Sequence, residues 1–291
     1  MTRSHPPSLQ VVVERTLRED CRLPKGSRVL LAISGGGDSM AMLHSMATLA
    51  NRFELELRAH GVNHGLRSEA KGELDCAEEF AKVLSIPFSR SVIDVSRGAN
   101  LQARARNQRY AELRKVAHAL SAQWIATAHH ADDRAETVLM RLMRGSGPSG
   151  LAVLAPSSAD LIRPMIRVRK SDITSYLQRY KIQFAEDPSN SDARYLRSRV
   201  RYGIMPKLTE ESSGIVAHLN SLADRMLELS EDGSTTSFGL TKSQAESLRR
   251  WMLVPRDGAE IALKGGWVLK FERRKIRMLA NAKLNKSGPG Q

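Results

Sequence analysis

The stretch Ile33-Ser34-Gly35-Gly36-Gly37-Asp38-Ser39 constrains this chain more than any other. It follows Val29-Leu30-Leu31-Ala32-Ile33, an apolar run that reads as a buried strand, and precedes Met40-Ala41-Met42-Leu43-His44-Ser45-Met46, which reads as a helix. Strand, glycine turn and helix start make an anion cradle. Glycines let the backbone turn tightly and approach a phosphate. The exposed N–H groups and the positive helix end then bind negative charge. Ser34 and Ser39 add hydroxyl donors. Asp38 would repel phosphates unless a cation lies between them, so the loop points to a magnesium nucleotide.

Two common phosphate loops are excluded. A Walker A loop needs Lys-Ser or Lys-Thr after its last glycine, where this chain has Asp38-Ser39. Gly35-Gly36-Gly37 also lacks the Gly-x-Gly-x-x-Gly spacing of dinucleotide sites. An ordinary glycine turn is the alternative reading, weakened by the serine, aspartate and serine around it. The run resembles the pyrophosphatase-type loop of ATP-dependent adenylating enzymes. That resemblance implies a grip on the β- and γ-phosphates while a substrate oxygen attacks the α-phosphate.

The chain has 291 residues, 41% of them hydrophobic, and a formal net charge of +14. Such length suggests two domains, and the charge points to a polyanionic partner, nucleic acid ahead of a merely basic, solvated surface. No apolar run reaches a membrane span. The start, Met1-Thr2-Arg3-Ser4-His5-Pro6-Pro7, lacks an apolar signal core, so a cytoplasmic location is expected. Cys21 and Cys76 are the only cysteines and form no Cys-x-x-Cys pair, which favours unpaired thiols over a metal site.

Strand and helix patterns alternate. Helices are expected over Leu9–Cys21, Ser68–Leu84, Ala103–Leu120, Asp132–Met143 and Lys170–Lys181, with strands at Val29–Ile33, Leu55–Val62, Phe88–Val95 and Trp124–Ala128. This order predicts an α/β fold, a Rossmann-like parallel sheet carrying the phosphate loop. A helical segment and a small basic C-terminal α+β unit follow. The expected divisions are a catalytic domain over 1–208, a helical linker over 209–234 and a basic unit over 235–291. Glu231 to Ser237 reads as linker, and the tail from Ala282 as disordered. From Lys242 to Lys286 twelve Lys/Arg face four Asp/Glu, and Glu260 to Phe271 reads as a hairpin.

A second cluster, Thr127-Ala128-His129-His130-Ala131-Asp132-Asp133-Arg134-Ala135-Glu136, sits at the end of one strand and the start of a helix. Ligands of parallel sheets bind outside the carboxyl ends of strands, where both clusters fall. Its carboxylates suit magnesium or a substrate ammonium. Helix capping by Asp132 and Asp133 is the plainer alternative.

Six further elements join the loop in one resemblance. They are Asn63-His64-Gly65-Leu66-Arg67, Ala105-Arg106-x-x-Arg109-Tyr110, His129-His130-Ala131-Asp132-Asp133, Arg144-Gly145-Ser146-Gly147, Arg163-Pro164 and Glu186-Asp187-Pro188-Ser189-Asn190. Over residues 28–208 the chain resembles the tRNA(Ile)-lysidine synthetase family. The resemblance implies ATP-dependent adenylation of the wobble cytidine of a tRNA(Ile) with a CAU anticodon, then attack by free L-lysine. It implies an ATP site of Ser34, Gly35, Gly36, Gly37, Asp38, Ser39, Arg106 and Arg109. Magnesium would be held by Asp38, Asp132 and Asp133. Asp38, His129, Asp132, Asp133 and Glu136 would carry catalysis, Glu136 or a neighbour receiving the lysine ammonium and His129 or His130 its proton. Arg194, Arg197, Arg199 and Arg201 would meet ATP or tRNA; a solvated basic face is the alternative.

Three positions depart from the family pattern: Arg134 for glutamine, Ser198 for asparagine and Gly61 for histidine. The rivals are another adenylating tRNA enzyme, such as a tRNA thiolase, and a non-catalytic ATP-dependent RNA-binding protein. Two distant cysteines count against a thiolase.

Overall fold

A computed structural model describes residues 8–63, 70–94, 101–185, 194–232, 257–258, 260–263, 267–272 and 275–280. The chain divides into a unit over Met1–Arg225 and one over Met226–Gln291.

The first unit is built on a sheet of six strands: β1 (Arg28–Ile33), β2 (Glu56–Asn63), β3 (Phe88–Val92), β4 (Trp124–Ala126), β5 (Ser157–Ser158) and β6 (Leu161–Ile162). Their order is β3-β2-β1-β4-β6-β5, parallel throughout except for β5 on the edge. The apolar run of β1 is explained by burial on both sheet faces. Val29, Leu31 and Ile33 enter one core with Met40, Leu43 and Met46 of α2 (Gly37–Phe53); Leu30 enters the other, with Leu113 and Ile125. The chain leaves β1 towards β2 on one side and reaches β4 on the other. That is a topological switch point, which opens a crevice at the carboxyl ends of β1 and β4.

The helices are α1 (Leu9–Arg15), α2, α3 (Ala70–Val83), α4 (Leu101–Ala119), α5 (Ala131–Leu142), α6 (Pro148–Leu151), α7 (Lys170–Arg179), α8 (Leu196–Arg199), α9 (Met205–Glu211) and α10 (Ile215–Asp232). Residues Thr16–Asp20 and Val200–Ile204 form π-helical turns. The expected helices and first four strands are present, with ends moved by a few residues. Three features escaped the sequence. Strands β5 and β6 are two residues each, too short for a periodic signal. Glu231 and Asp232, expected in a linker, continue α10. A third C-terminal strand joins the expected hairpin: β7 (Glu260–Leu263), β8 (Trp267–Glu272) and β9 (Lys275–Ala280) pair antiparallel in that order. His64 to Arg67, Glu186 to Asn190, Asp192, Ala193 and the tail from Ala282 lie outside the described residues.

The Gly61 departure has a steric meaning. A Cβ on Gly61 would stand 2.5 Å from Leu74 Cδ2 and 3.2 Å from Phe88 Cζ. The neighbouring imidazole, His60, faces the opposite side of the sheet because strand side chains alternate. There His60 is buried, with its ring nitrogens 2.8 Å and 3.0 Å from the hydroxyls of Ser89 and Ser91.

Candidate functional site

The loop after β1 is shaped by its backbone. Gly35 has φ +85°, and a Cβ there would lie 2.4 Å from the Glu73 carbonyl oxygen, so both conformation and space demand glycine. Gly36 is the N-cap of α2. Ser39 Oγ accepts the Ser34 N–H at 3.2 Å and donates to the Gly36 carbonyl at 2.8 Å, which cinches the turn. Ala185 N–H donates to the Gly35 carbonyl at 3.0 Å, bracing the loop from outside. The Ser39 hydroxyl therefore serves the loop itself, and the first turn of α2 points its N–H groups into the crevice.

The segment after β4 is held by charge. His130 caps α5 reciprocally with Asp133: the Asp133 N–H donates to His130 Nδ1 at 3.3 Å and the His130 N–H to Asp133 Oδ2 at 3.2 Å. His130 Nε2 lies 3.4 Å from Asp133 Oδ2 and 3.7 Å from Asp38 Oδ2, joining the two clusters. Burial opposes ionisation of Asp38, but His130 and Lys170 outweigh it and hold the carboxyl at about 2. Burial likewise opposes protonation of His130, and the carboxylates of Asp38, Asp133 and Asp132 outweigh it in the raising direction. A second proton would have to take Nδ1 from the Asp133 N–H, so charging His130 costs the cap. His129 differs. Burial first, then Arg163, Arg106 and Arg109, push it down to about 3 against the pull of Asp133. An imidazole so disposed, with Nδ1 2.9 Å from the Thr127 hydroxyl, accepts protons poorly at neutral pH.

The structure brings the expected carboxylates into one crevice but gives them separate partners. Lys170 Nζ lies 2.5 Å from Asp38 Oδ1. Asp132 accepts the Lys170 backbone N–H at 2.8 Å and faces Arg169, so it serves the start of α7. Asp133 meets Arg197 at 2.9 Å and Arg201 at 2.8 Å. Glu136, with a side chain only 4% exposed, holds Arg197 at 3.0 Å and Arg201 at 2.7 Å. A substrate ammonium at Glu136 would meet two guanidiniums. Among the described residues no group of three or more His, Cys, Asp or Glu side chains is arranged to hold a metal ion. Asp38, Asp132 and Asp133 are thus not one cage. Magnesium usually takes one or two carboxylates beside substrate phosphates and waters. Asp38 alone, at the mouth of the loop, fits that habit.

Arg197 and Arg201 face the crevice, while Arg199 donates to the Arg194 carbonyl at 2.9 Å on the outer side of α8. Arg106 and Arg109 line the crevice and stack on Tyr110, whose ring is buried. The whole forms a cavity of about 1450 Å³, which also takes in Lys170 and His60. Lys170 was missed because nothing local marks it; it comes from a helix start 132 residues beyond Asp38. Arg134 turns away from the crevice. It is fully buried, with Nη1 2.6 Å from Asp224 Oδ1 and Nε donating to the Val153 carbonyl at 3.1 Å. Asp224 and Asp20 both also bind Arg167. The Arg134 departure therefore ties α5 to α10. Ser198 lines a second cavity beside α8.

The strand order, phosphate loop and crevice define a class. A PP-loop domain model matches residues 9–208, and the chain belongs to that family of ATP-binding domains. Within it, the chain is similar to proteins named tRNA(Ile)-lysidine synthase, as its motifs indicate. It is 36% identical over 250 residues to that of Geobacter sulfurreducens, covering 81% of this chain and 50% of the relative. It is 36% identical over 233 residues to that of Symbiobacterium thermophilum, covering 76% and 48%. The chain spans about half the length of these curated relatives. Among solved structures, the U34-tRNA thiolase NcsA from Methanococcus maripaludis, with its 4Fe–4S cluster, superposes with a TM-score of 0.65 at 22% identity, covering 76% of this chain and 78% of that one. That likeness concerns the fold. Among the described residues no helix is long and apolar enough to cross a membrane.

Proposed function

We propose that the protein is a C–N ligase that converts the wobble cytidine of a tRNA(Ile) with a CAU anticodon to lysidine. ATP adenylates O2 of the base and pyrophosphate leaves. Free L-lysine, its side-chain ammonium deprotonated to solvent, then attacks C2 through the neutral amine, the C2–O bond breaks, and AMP leaves with the proton that the amine gives up. The observation that carries this reading is the meeting of the phosphate loop with the His-His-x-Asp-Asp segment through His130, Asp38 and Asp133. The names of the relatives support it.

The backbone N–H groups of Gly36 to Ser39 and the start of α2 hold the phosphates, with Lys170, Arg106 and Arg109 supplying positive charge around them. Magnesium, bound at Asp38, would neutralise charge on the departing pyrophosphate. Asp132, at the rim, would receive the lysine ammonium in exchange for its 3.3 Å contact with Arg169, while keeping the Lys170 backbone N–H. Glu136 and Asp133 orient Arg197 and Arg201 towards the anionic substrates. Residues 1–208 form the catalytic part, and the basic residues 235–291 add tRNA affinity.

The test is incorporation of labelled lysine into an unmodified tRNA(Ile) transcript, with pyrophosphate release measured with and without lysine. Incorporation that needs ATP and the CAU anticodon is expected. Transfer of sulfur, or ATP turnover without lysine incorporation, would overturn the reading.

A further inference from the structure

A second cavity lies beside the first, about 870 Å³ in volume. Met143, Ile204 and Leu208 give it an apolar floor, and Lys207 and Arg199, which also donates to the Arg194 carbonyl, are its charged residues; among the described residues no carboxylate lines it. Tyr202 borders both cavities, and it is 57% exposed. It rides on the π-helical turn Val200–Ile204, an irregularity frequent at functional sites. The same turn carries Arg201, whose guanidinium faces Glu136 in the first cavity. One turn therefore presents a charge to the catalytic crevice and an exposed aromatic ring that borders both cavities.

An aromatic face over an apolar floor, edged among the described residues by Arg199 and Lys207, matches an unpaired nucleotide. Single-stranded RNA is recognised by stacking splayed bases on aromatic side chains while cations track the backbone. An apolar peptide would gain nothing from two cations, and an acidic peptide would waste the apolar floor. Resting on the function proposed above, we infer that this groove is a subsite for the loop nucleotide next to the modified cytidine, its base stacked on Tyr202 and its phosphates near Arg199 and Lys207. Insertion of the target base into the first cavity unstacks its neighbour, and Tyr202 replaces the lost stack.

The probe is an RNA hairpin with a seven-nucleotide CAU loop, carrying 2-aminopurine beside the cytidine on either side, titrated with the full chain. Wild-type protein should quench one of the two probes. Tyr202→Ala should abolish that quenching and weaken hairpin binding about tenfold, the scale of one lost base–aromatic stack. Tyr202→Phe should keep both. Denaturant-unfolding midpoints should be unchanged in each variant, which reports folding. Lys207→Gln should lower the slope of log affinity against log salt by about one. Quenching and affinity that survive Tyr202→Ala would overturn the subsite. So would loss in Tyr202→Phe equal to that in Tyr202→Ala, which would make the hydroxyl the contact. Equal competition by polyglutamate would show a generic polyanion surface and also overturn it. Lysine incorporation by the wild-type chain separates these results from failure of the function itself.

Discussion

The carboxyl ends of β1 and β4 build the two halves of one crevice by different means. After β1 the work falls to backbone: a positive φ at Gly35, N–H groups at the start of α2, and a serine that bonds its own turn. After β4 it falls to side-chain charge, where Asp132 is matched by Arg169 at the N-cap of α7, and Asp133 and Glu136 by Arg197 of α8 and Arg201 of the turn that follows it. A backbone cradle needs local sequence and space, with one outside brace from Ala185. A charge lattice needs partners brought from 37 to 68 residues away. The first should tolerate changes at a distance, and the second should not.

Substitutions can break that contrast. Glu136→Gln should have the largest effect on stability, about 3 kcal/mol, because it removes the charge of a buried carboxylate that two arginines share and leaves Asp133 alone to meet both. Denaturant unfolding measures this; a loss below about 1 kcal/mol would show that solvent, not Glu136, carries those arginines. Asp38→Asn should leave stability near wild type at neutral pH and slow single-turnover pyrophosphate release about 10²-fold, the scale of one key electrostatic contact. Normal turnover at saturating magnesium would remove Asp38 from the chemistry.

Gly35→Ala should cost about 2 kcal/mol, since it combines a left-handed backbone with a 2.4 Å approach to a carbonyl oxygen. Nucleotide affinity should fall with it while RNA affinity holds. If Gly35→Ala binds nucleotide normally, the cradle is not backbone-built.

The smallest effect concerns pH. Asp38 has a folded pKa of about 2, below its ordinary 3.8. Its contribution is therefore present above about pH 4 and is lost as pH falls towards 2. The group is 34% exposed, so solvent screening keeps the contribution small. Lys170→Gln should raise the lower edge of that window, and Asp38→Asn should erase it. Acid-unfolding midpoints of the three proteins compare these directly; identical curves would mean that the Lys170 contact is not made in solution.

Local pattern determined much of this protein. An apolar run of five residues makes β1 a buried strand, and the serine–glycine–aspartate spacing makes the turn after it an anion cradle, because both depend on neighbours in the chain. The His-His-x-Asp-Asp segment was legible as a strand-to-helix corner for the same reason, but the cap that the sequence offered to Asp132 and Asp133 is formed by His130 with Asp133. The tertiary structure decided who neutralises whom. It put Lys170 on Asp38, spent Asp132 on the start of α7, and locked Glu136 under two arginines that the sequence left between nucleic acid and solvent. It also made Arg134 a buried strut to Asp224, 90 residues away, which no spacing rule marks. Coulomb attraction and desolvation act through space, so the roles of these charges follow from which helices the sheet order sets side by side.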